Sequence, residues 1–329
     1  MNNYSVKMKV DGTIKSSFQF VETKVLPNDI PITTPFTFSF IGDQVVLAND
    51  IKVGWNAVGG KVGQDEKWEE ALKRESYEEA GIYISNIEVV GYILAIKEGD
   101  LTNSKFPAKS IMPVTISFVE KVEHNWTPMD TSSRGLFKFR EAQELLSNRS
   151  DGTQMSEIFN FVQTYFKSKK YKIDFSYHPN VQFENVPVTQ VMAVCFDKNG
   201  KVCVVRDYDE DFFSLVGGGS DLGEFPIDAL KREALEEAQI EVEDIKLLGT
   251  VLVKFLDGNS CVSMFQHGRY ICKIKKMGSF VPRENGFETV ERTFIDVDDL
   301  QKTVMLLQNK SGEMIIKQLL EINSKPELD

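Results

Sequence analysis

The chain has 329 residues, enough for about two domains at roughly 150 residues each. Hydrophobic residues at 42% and charged residues at 26% give a globular balance, which excludes wholesale disorder and fibrous architecture. Lys and Arg number 38 against 49 Asp and Glu, a net charge of −11, so the basic surface of a duplex-coating nucleic-acid protein is missing. A small anionic ligand remains compatible, because a local cation can reverse the field inside one pocket.

The first residues, Met1 to Lys9, have no apolar core of secretory type. No uncharged apolar run approaches the ~18 residues that would span a bilayer, so no membrane association is expected. Residues 1–30 read as extra strands on the first domain. Short β-branched runs follow in each half, Val45-Val46-Leu47 and Cys203-Val204-Val205, each preceded by a turn glycine, Gly42 or Gly200. A glycine pair comes next, Gly59-Gly60 and Gly217-Gly218. The spacing then predicts helices over Glu69–Ala80 and Ile227–Ala238, with apolar residues at helical intervals. Strands are expected over Ile87–Ala95 and Ile245–Phe255, and again over Val114–Val119 and Tyr270–Ile274. Each half closes on an apolar-periodic helix, Met155–Phe166 and Glu313–Ile322.

The two halves are copies of one pattern. At an offset of 158 residues, Gly42 falls on Gly200, Val46 on Val204, Trp55 on Phe213, Gly91 on Gly249 and Leu94 on Leu252. Between Val58 and Ile82 the two copies share 13 identities in 25 positions, far above chance. The polar stretch 170–184 reads as a linker between domain one, residues 1–169, and domain two, residues 185–329. Cys195, Cys203, Cys261 and Cys272 are widely and irregularly spaced, as small buried hydrophobes would be. They fit neither a zinc site nor a secreted disulfide framework, and a reducing cytoplasmic compartment suits them. His124, His178 and His267 stand apart from one another in the sequence.

Within the central helices the copies read Arg74-Glu75-Ser76-Tyr77-Glu78-Glu79 and Arg232-Glu233-Ala234-Leu235-Glu236-Glu237. At 100° per residue, Glu75, Glu78 and Glu79 share an arc of about 100°, as do Glu233, Glu236 and Glu237. Like charges so placed repel one another. A hard divalent cation among them would remove the repulsion, since Mg²⁺ and Mn²⁺ prefer oxygen ligands. A lone run of this kind is ordinarily a solvated acidic face. Here a glycine and a further Glu precede it at fixed spacing in both copies, Gly60 and Glu66, then Gly218 and Glu224.

The repeated pattern G-x5-E-x7-R-E-U-x-E-E-x-G-U, with U aliphatic or small, resembles the Nudix box, and the chain resembles a tandem Nudix hydrolase. The first copy departs at Ser76, where an apolar residue is usual, and the second at Gln239, where the family has Gly. Val58 and Val216 stand where many members carry Pro. The resemblance implies an α/β fold, two tandem α/β/α sandwiches around mixed β-sheets. It also implies Mg²⁺- or Mn²⁺-dependent hydrolysis of a nucleoside diphosphate linked to X, a small-molecule nucleotide-type substrate. Glu75, Glu78, Glu79, Glu233, Glu236 and Glu237 are then the expected metal ligands. Glu66 and Glu224 are supporting carboxylates, and Arg74 and Arg232 orient neighbouring Glu side chains. Glu66, Arg74, Glu78, Glu224, Arg232 and Glu236 form the expected catalytic set.

Gly59, Gly60, Gly217 and Gly218 would let the backbone pass close to phosphate, and Trp55 and Phe213 could stack on a base or simply pack on a strand. Later-loop candidates for the general base are Glu120, Glu123 and Asp130 in copy one and Glu284, Glu288 and Glu291 in copy two. Phe106, Trp126 and Arg134, and Phe265, Arg269 and Arg283, are candidate substrate contacts. Lys97-Glu98-Gly99 and Phe255-Leu256-Asp257 occupy the places where some subfamilies carry a Pro or Tyr cue, so no particular substrate is indicated. Gln239 raises a second reading, in which one domain hydrolyses and the other binds nucleotide as a regulatory or structural module. Domain–domain and homodimer association are both compatible with the residues.

Overall fold

The computed structural model describes residues 7–11, 14–102, 104–149, 152–208, 210–282 and 289–323. The chain forms two compact units, Met1–Lys172 with Phe255–Met264, and Ile173–Lys254 with Phe265–Asp329. Both are α/β, each a mixed sheet with helices.

In the first unit the strands are β1 (Lys7–Asp11), β2 (Ile14–Glu22), β3 (Phe36–Ile41), β4 (Gln44–Asp50), β5 (Gly54–Asn56) and β6 (Val58–Gly59), then β7 (Ile82–Glu98), β8 (Lys109–Val122) and β9 (Thr131–Phe137). Helix α1 (Trp68–Ala80) lies between β6 and β7, and α2 (Phe139–Ser147) and α3 (Gly152–Ser168) follow β9. The sheet runs β1-β2-β7-β8-β3-β4-β5, with β6 on β3 and β9 on β4. Only β3 and β8 among its described pairs run parallel. The N-terminal stretch supplies β1 and β2, but only β1 is extra, because β2 has a counterpart in the second copy.

The second unit repeats the plan. Its strands are β10 (Lys172–Pro179), β11 (Val188–Phe196), β12 (Val202–Asp207), β13 (Ser214–Leu215), β14 (Ile240–Asp257), β15 (Ser260–Met277) and β16 (Thr289–Ile295). Helix α4 (Pro226–Ala238) precedes β14, and α5 (Leu300–Thr303) and α6 (Lys310–Asn323) end the chain's described part. The order is β10-β14-β15-β11-β12-β13 with β16 on β12, and β11 runs parallel to β15. Among the described residues no helix is long and apolar enough to cross a membrane.

Two expectations need correction. The stretch 170–184 is not simply a linker, because it contains β10. A Cβ on Gly91 would strike the Phe20 ring of β2, and one on Gly249 would strike Tyr177 of β10, so β10 is the second copy's β2. Ile173, Phe175 and Tyr177 alternate along it in strand fashion, although of the three only Tyr177 is buried. The single offset of 158 also fails in the first hairpin. Val45 pairs with Phe137 and Val202 with Ile295, so β12 lies at offset 157 while β16 keeps 158. The cause is the turn: Ile41 pairs with Gln44 across a tight turn, whereas Phe196 pairs with Val202 across a longer one built on Asp197.

Alternation along β11 sends Val191, Ala193 and Cys195 into one core with Ala229, Leu230, Ala234 and Ala238 of α4. Cys195 and Cys272 pair across parallel strands with sulfurs 3.3 Å apart. In the first unit Ser39 and Ser117 pair in the same way, with hydroxyls 2.9 Å apart. The three buried thiols are thus small packing groups beneath a helix that must approach closely. On the other face of the first sheet, Phe40 stacks on Phe166 and Phe38 on Phe159, with ring centroids 4.4 and 5.1 Å apart.

Candidate active site

Each site is assembled from a glycine turn and one helix. Helix α1 buries Ala71, Leu72, Ser76 and Ala80, which leaves its acidic face turned toward the turn that follows β6. Ser76, the departure from the apolar pattern, is fully buried and donates its hydroxyl to the Leu72 carbonyl at 2.7 Å, so no polar atom is stranded. Helix α4 starts with Pro226 in its first turn, where the missing N–H costs nothing.

Arg74 organises the first face. Its Nε and Nη2 hold Glu66 at 2.9 and 3.0 Å, and its Nη1 donates to Glu75 and Glu78, both at 2.9 Å. Nη2 also donates to the Lys61 carbonyl at 3.0 Å, tying helix to turn. Arg232 repeats every contact, holding Glu224 at 3.0 and 2.8 Å, Glu233 at 2.6 Å, Glu236 at 3.3 Å and the Gly219 carbonyl at 2.9 Å. Such bidentate, charge-assisted pairs fix both members in direction as well as distance. The hydrogen bonds from Arg74 and Gly63 hold the Glu66 carboxyl below its usual pKa. Glu224 is held down too, its partial burial outweighed by Arg232 and the Asp221 N–H.

The remaining carboxylates are pushed the other way. Burial raises Glu75 and Glu233 against the pull of their arginines. Burial pushes Glu79 up to about 7 and Glu237 up to about 8, although Gly59 and Gly217 each donate a backbone N–H at 2.9 Å. The glycines are needed for approach. A Cβ on Gly60 would lie 2.2 Å from the Glu75 carboxylate carbon, and one on Gly218 would lie 2.5 Å from Glu233 Oε2.

Asp50 and Asp130 both lie near enough to Glu79 to help raise it, and Asp207 does the same to Glu237. Sequence reasoning missed Asp50 and Asp207. At offset 158 Asp50 falls on Tyr208, and only the shifted hairpin register makes it the counterpart of Asp207. Asp130 is therefore the later-loop candidate that reaches the first site. Glu120 is exposed on β8, and Glu123 is paired with Lys121 at 3.5 Å. Glu291 is paired with Arg206 at 2.8 Å. Arg283, Glu284 and Glu288 lie outside the described residues.

Other expected contacts have structural partners. Trp55 is half-buried and packs edge-on against Phe137 at 4.8 Å. Phe213, also half-buried, bridges to Val304. Arg134 donates from Nη1 to the Ala80 carbonyl at 2.7 Å under the Trp126 ring, 4.7 Å from its centroid. Arg292, which sequence reasoning did not single out, donates likewise to Ala238 at 2.6 Å beneath Phe280. Both arginines satisfy carbonyls left open at a helix C-terminus. Phe265 is buried near His267 in the second unit, and Arg269 is buried with its Nε unpartnered. Lys61 and Lys97 both approach the Phe106 ring, with their Nζ atoms 5.4 and 4.6 Å from its centroid.

Among the described residues no three acidic, His or Cys side chains converge closely enough to hold an ion as they are arranged. Arg74 Nη1 stands between Glu75 and Glu78, and Arg232 Nη1 between Glu233 and Glu236. The donor set nonetheless suits a hard cation: only carboxylate oxygens line the face, beside a turn where a Cβ would intrude.

The NUDIX domain pattern matches residues 39–155 and 186–315. Among curated proteins none matches the chain in sequence. Similar solved structures include the Bacillus subtilis pyrophosphohydrolase, 19% identical over 47% of this chain and 93% of that one, with a TM-score of 0.35. An ADP-ribose pyrophosphatase from Streptococcus suis is 21% identical over 44% of this chain and 97% of that one, at 0.31. A C. elegans Ap4A hydrolase is 14% identical over 42% and 98%, at 0.31. Two matches in one chain, each bearing the Gly-Glu-Arg-Glu constellation, make this protein a tandem member of the NUDIX domain family, a Nudix-type hydrolase of phosphoanhydrides.

Proposed function

We propose that both units hydrolyse a phosphoanhydride bond in a nucleoside diphosphate linked to X, each with Mg²⁺ or Mn²⁺. The observation that carries this reading is the repetition of one Arg-centred carboxylate network, contact for contact, in both units. Glu75, Glu78 and Glu79 would hold the cation in the first unit, and Glu233, Glu236 and Glu237 in the second. A bound divalent ion neutralises phosphate charge and lowers the pKa of a water to make a nucleophile.

The chain's own residues supply position. Arg74 and Arg232 hold Glu66 and Glu224 against the helix and fix the direction of two further carboxylates each. Gly59-Gly60 and Gly217-Gly218 keep the turn free of side chains where a phosphate chain must pass. Asp130 is the best placed of the later-loop bases in the first unit. Trp55 and Phe213, each presenting a half-buried ring, remain the proposed base contacts. Three buried free thiols suit a cytoplasmic setting.

A purely binding second domain has less support, because the Gln239 departure leaves its turn intact. Gln239 takes the left-handed conformation that Gly81 takes, at φ 53° against 59°. Substrate turnover by full-length protein with Mg²⁺ or Mn²⁺ tests the reading against nucleoside triphosphates, ADP-ribose, nucleotide sugars and dinucleoside polyphosphates. Glu79→Gln and Glu237→Gln should each remove part of the turnover and together abolish it. Full turnover in the double variant would overturn the assignment.

A further inference from the structure

The two sites share their carboxylate network but not their rims. In the first copy of the pattern β7 and β8 are joined by residues 99–108, whereas in the second copy β14 and β15 are joined through Gly258-Asn259, residues that group with the first compact unit. The longer loop folds on itself. Ser104 donates its hydroxyl to the Phe106 carbonyl at 2.8 Å and its N–H to the Leu101 carbonyl at 2.9 Å, while the Thr102 N–H donates to the Asp100 carboxylate at 3.0 Å. These turns bring the half-buried Phe106 ring within reach of two ammonium groups. Lys97 Nζ lies 4.6 Å and Lys61 Nζ 5.4 Å from its centroid, so the two cations stand no more than about 10 Å apart.

Lys61 follows Gly60 directly, and its carbonyl is the one that Arg74 grips, so this rim is continuous with the glycine turn. Among the described residues neither lysine has a carboxylate partner, in a chain with a net charge of −11. The Lys97 ammonium donates to the Ser104 hydroxyl at 3.4 Å. Two like charges held at one ring repel each other, and an anion between them removes that repulsion. The second copy lacks both lysines. At the same offset, Gly219 stands in place of Lys61 and Phe255 in place of Lys97.

We infer that Lys61, Lys97 and Phe106 form a cationic rim that selects, for the first unit, nucleotides carrying a phosphate beyond the two flanking the scissile bond. The second unit, without a rim, serves diphosphates whose far end is uncharged. This rests on the proposed hydrolase reading, and the test separates the two.

Full-length protein carrying Glu237→Gln reports turnover by the first unit. Its KM is measured for ATP and for ADP-ribose, before and after Lys61→Met with Lys97→Met. Calorimetric binding of ATP to protein carrying Glu79→Gln and Glu237→Gln, with and without the same lysine changes, gives a readout free of turnover. The expected result is a rise of about tenfold in KM and Kd for ATP, with kcat unchanged and ADP-ribose shifted less than twofold. Lys61→Arg with Lys97→Arg should retain ATP affinity. Equal weakening of both ligands, unchanged ATP affinity, or no ATP binding at all would overturn the rim. Loss of turnover alone, with lysine-sensitive ATP binding intact, would instead count against the hydrolase reading.

Discussion

A Cβ on Gly60 would meet only the far end of the Glu75 side chain, whereas one on Gly59 would lie 2.3 Å from the Pro35 carbonyl oxygen and 2.5 Å from the Phe36 Cα. A carboxylate can swing away but a backbone cannot, so neighbouring glycines should fail in opposite ways. Gly60→Ala should displace Glu75 from the face it shares with Arg74 and lower first-unit turnover by about 100-fold, the cost of a misplacement near 1 Å. Its stability should change by less than about 1 kcal/mol. Gly59→Ala should separate β6 from β3 and destabilise by about 2 kcal/mol or more. Turnover in a Glu237→Gln background and urea midpoints distinguish the two. Equal stability losses would show that Gly60 serves packing rather than carboxylate placement.

At the scale of the element, the ends of α1 and α4 solve one problem with different residues. Gly81 leaves room for Trp126, whose Cγ would lie 2.4 Å from an added Cβ, with Arg134 Nη1 at 2.3 Å. Gln239 carries a Cβ in the same backbone conformation, at a cost of about 1 kcal/mol. Its amide offsets this by donating to the Val281 carbonyl at 2.7 Å and accepting the Val281 N–H at 3.1 Å. Gln239→Gly should therefore stay within about 1 kcal/mol of the parent, strain relieved against hydrogen bonds lost. Gly81→Gln should destabilise by about 2 kcal/mol or more, since Trp126 and Arg134 fill the space. Chemical denaturation of both variants checks the asymmetry. The catalytic helix was legible in the sequence because its ligand residues are contiguous and their spacing is chemical. The compensation at Gln239 was not, because Val281 lies across a loop whose path no local pattern records. Asp207 escaped for a related reason: an ungapped register cannot register a lengthened turn.

At the scale of the whole molecule, the two units share a plan but bury different charges. The layer that holds Phe20, Phe38 and Phe159 in the first unit has Tyr177 at the place of Phe20 in the second, where Arg269 is buried and His267 half-buried. Burial, helped by the Arg269 guanidinium, pushes His267 down to about 3 from an ordinary 6.5. Between those values the unfolded chain binds a proton that the folded chain refuses, so stability rises with pH across that window and falls on acidification. From pH 7 to pH 5 the second unit should lose about 2 kcal/mol from this group. The half-buried carboxylate of Glu88 in the first unit behaves differently. Burial raises it, but Tyr165 and Lys169 outweigh that and hold it below 4.5, so its contribution persists until the pH falls below that value. The three tryptophans, Trp55, Trp68 and Trp126, all lie in the first unit, so their fluorescence reports that unit alone. Glu237 and Glu79, raised by burial, take up protons over the same range and stabilise their units as the pH falls. The imidazole is therefore isolated by substitution: His267→Gln should raise the urea midpoint followed by far-UV circular dichroism more at pH 5 than at pH 7, while the tryptophan midpoint of the first unit stays at its parent value. An equal change at both pH values would show that the imidazole does not contribute to the second unit's acid sensitivity.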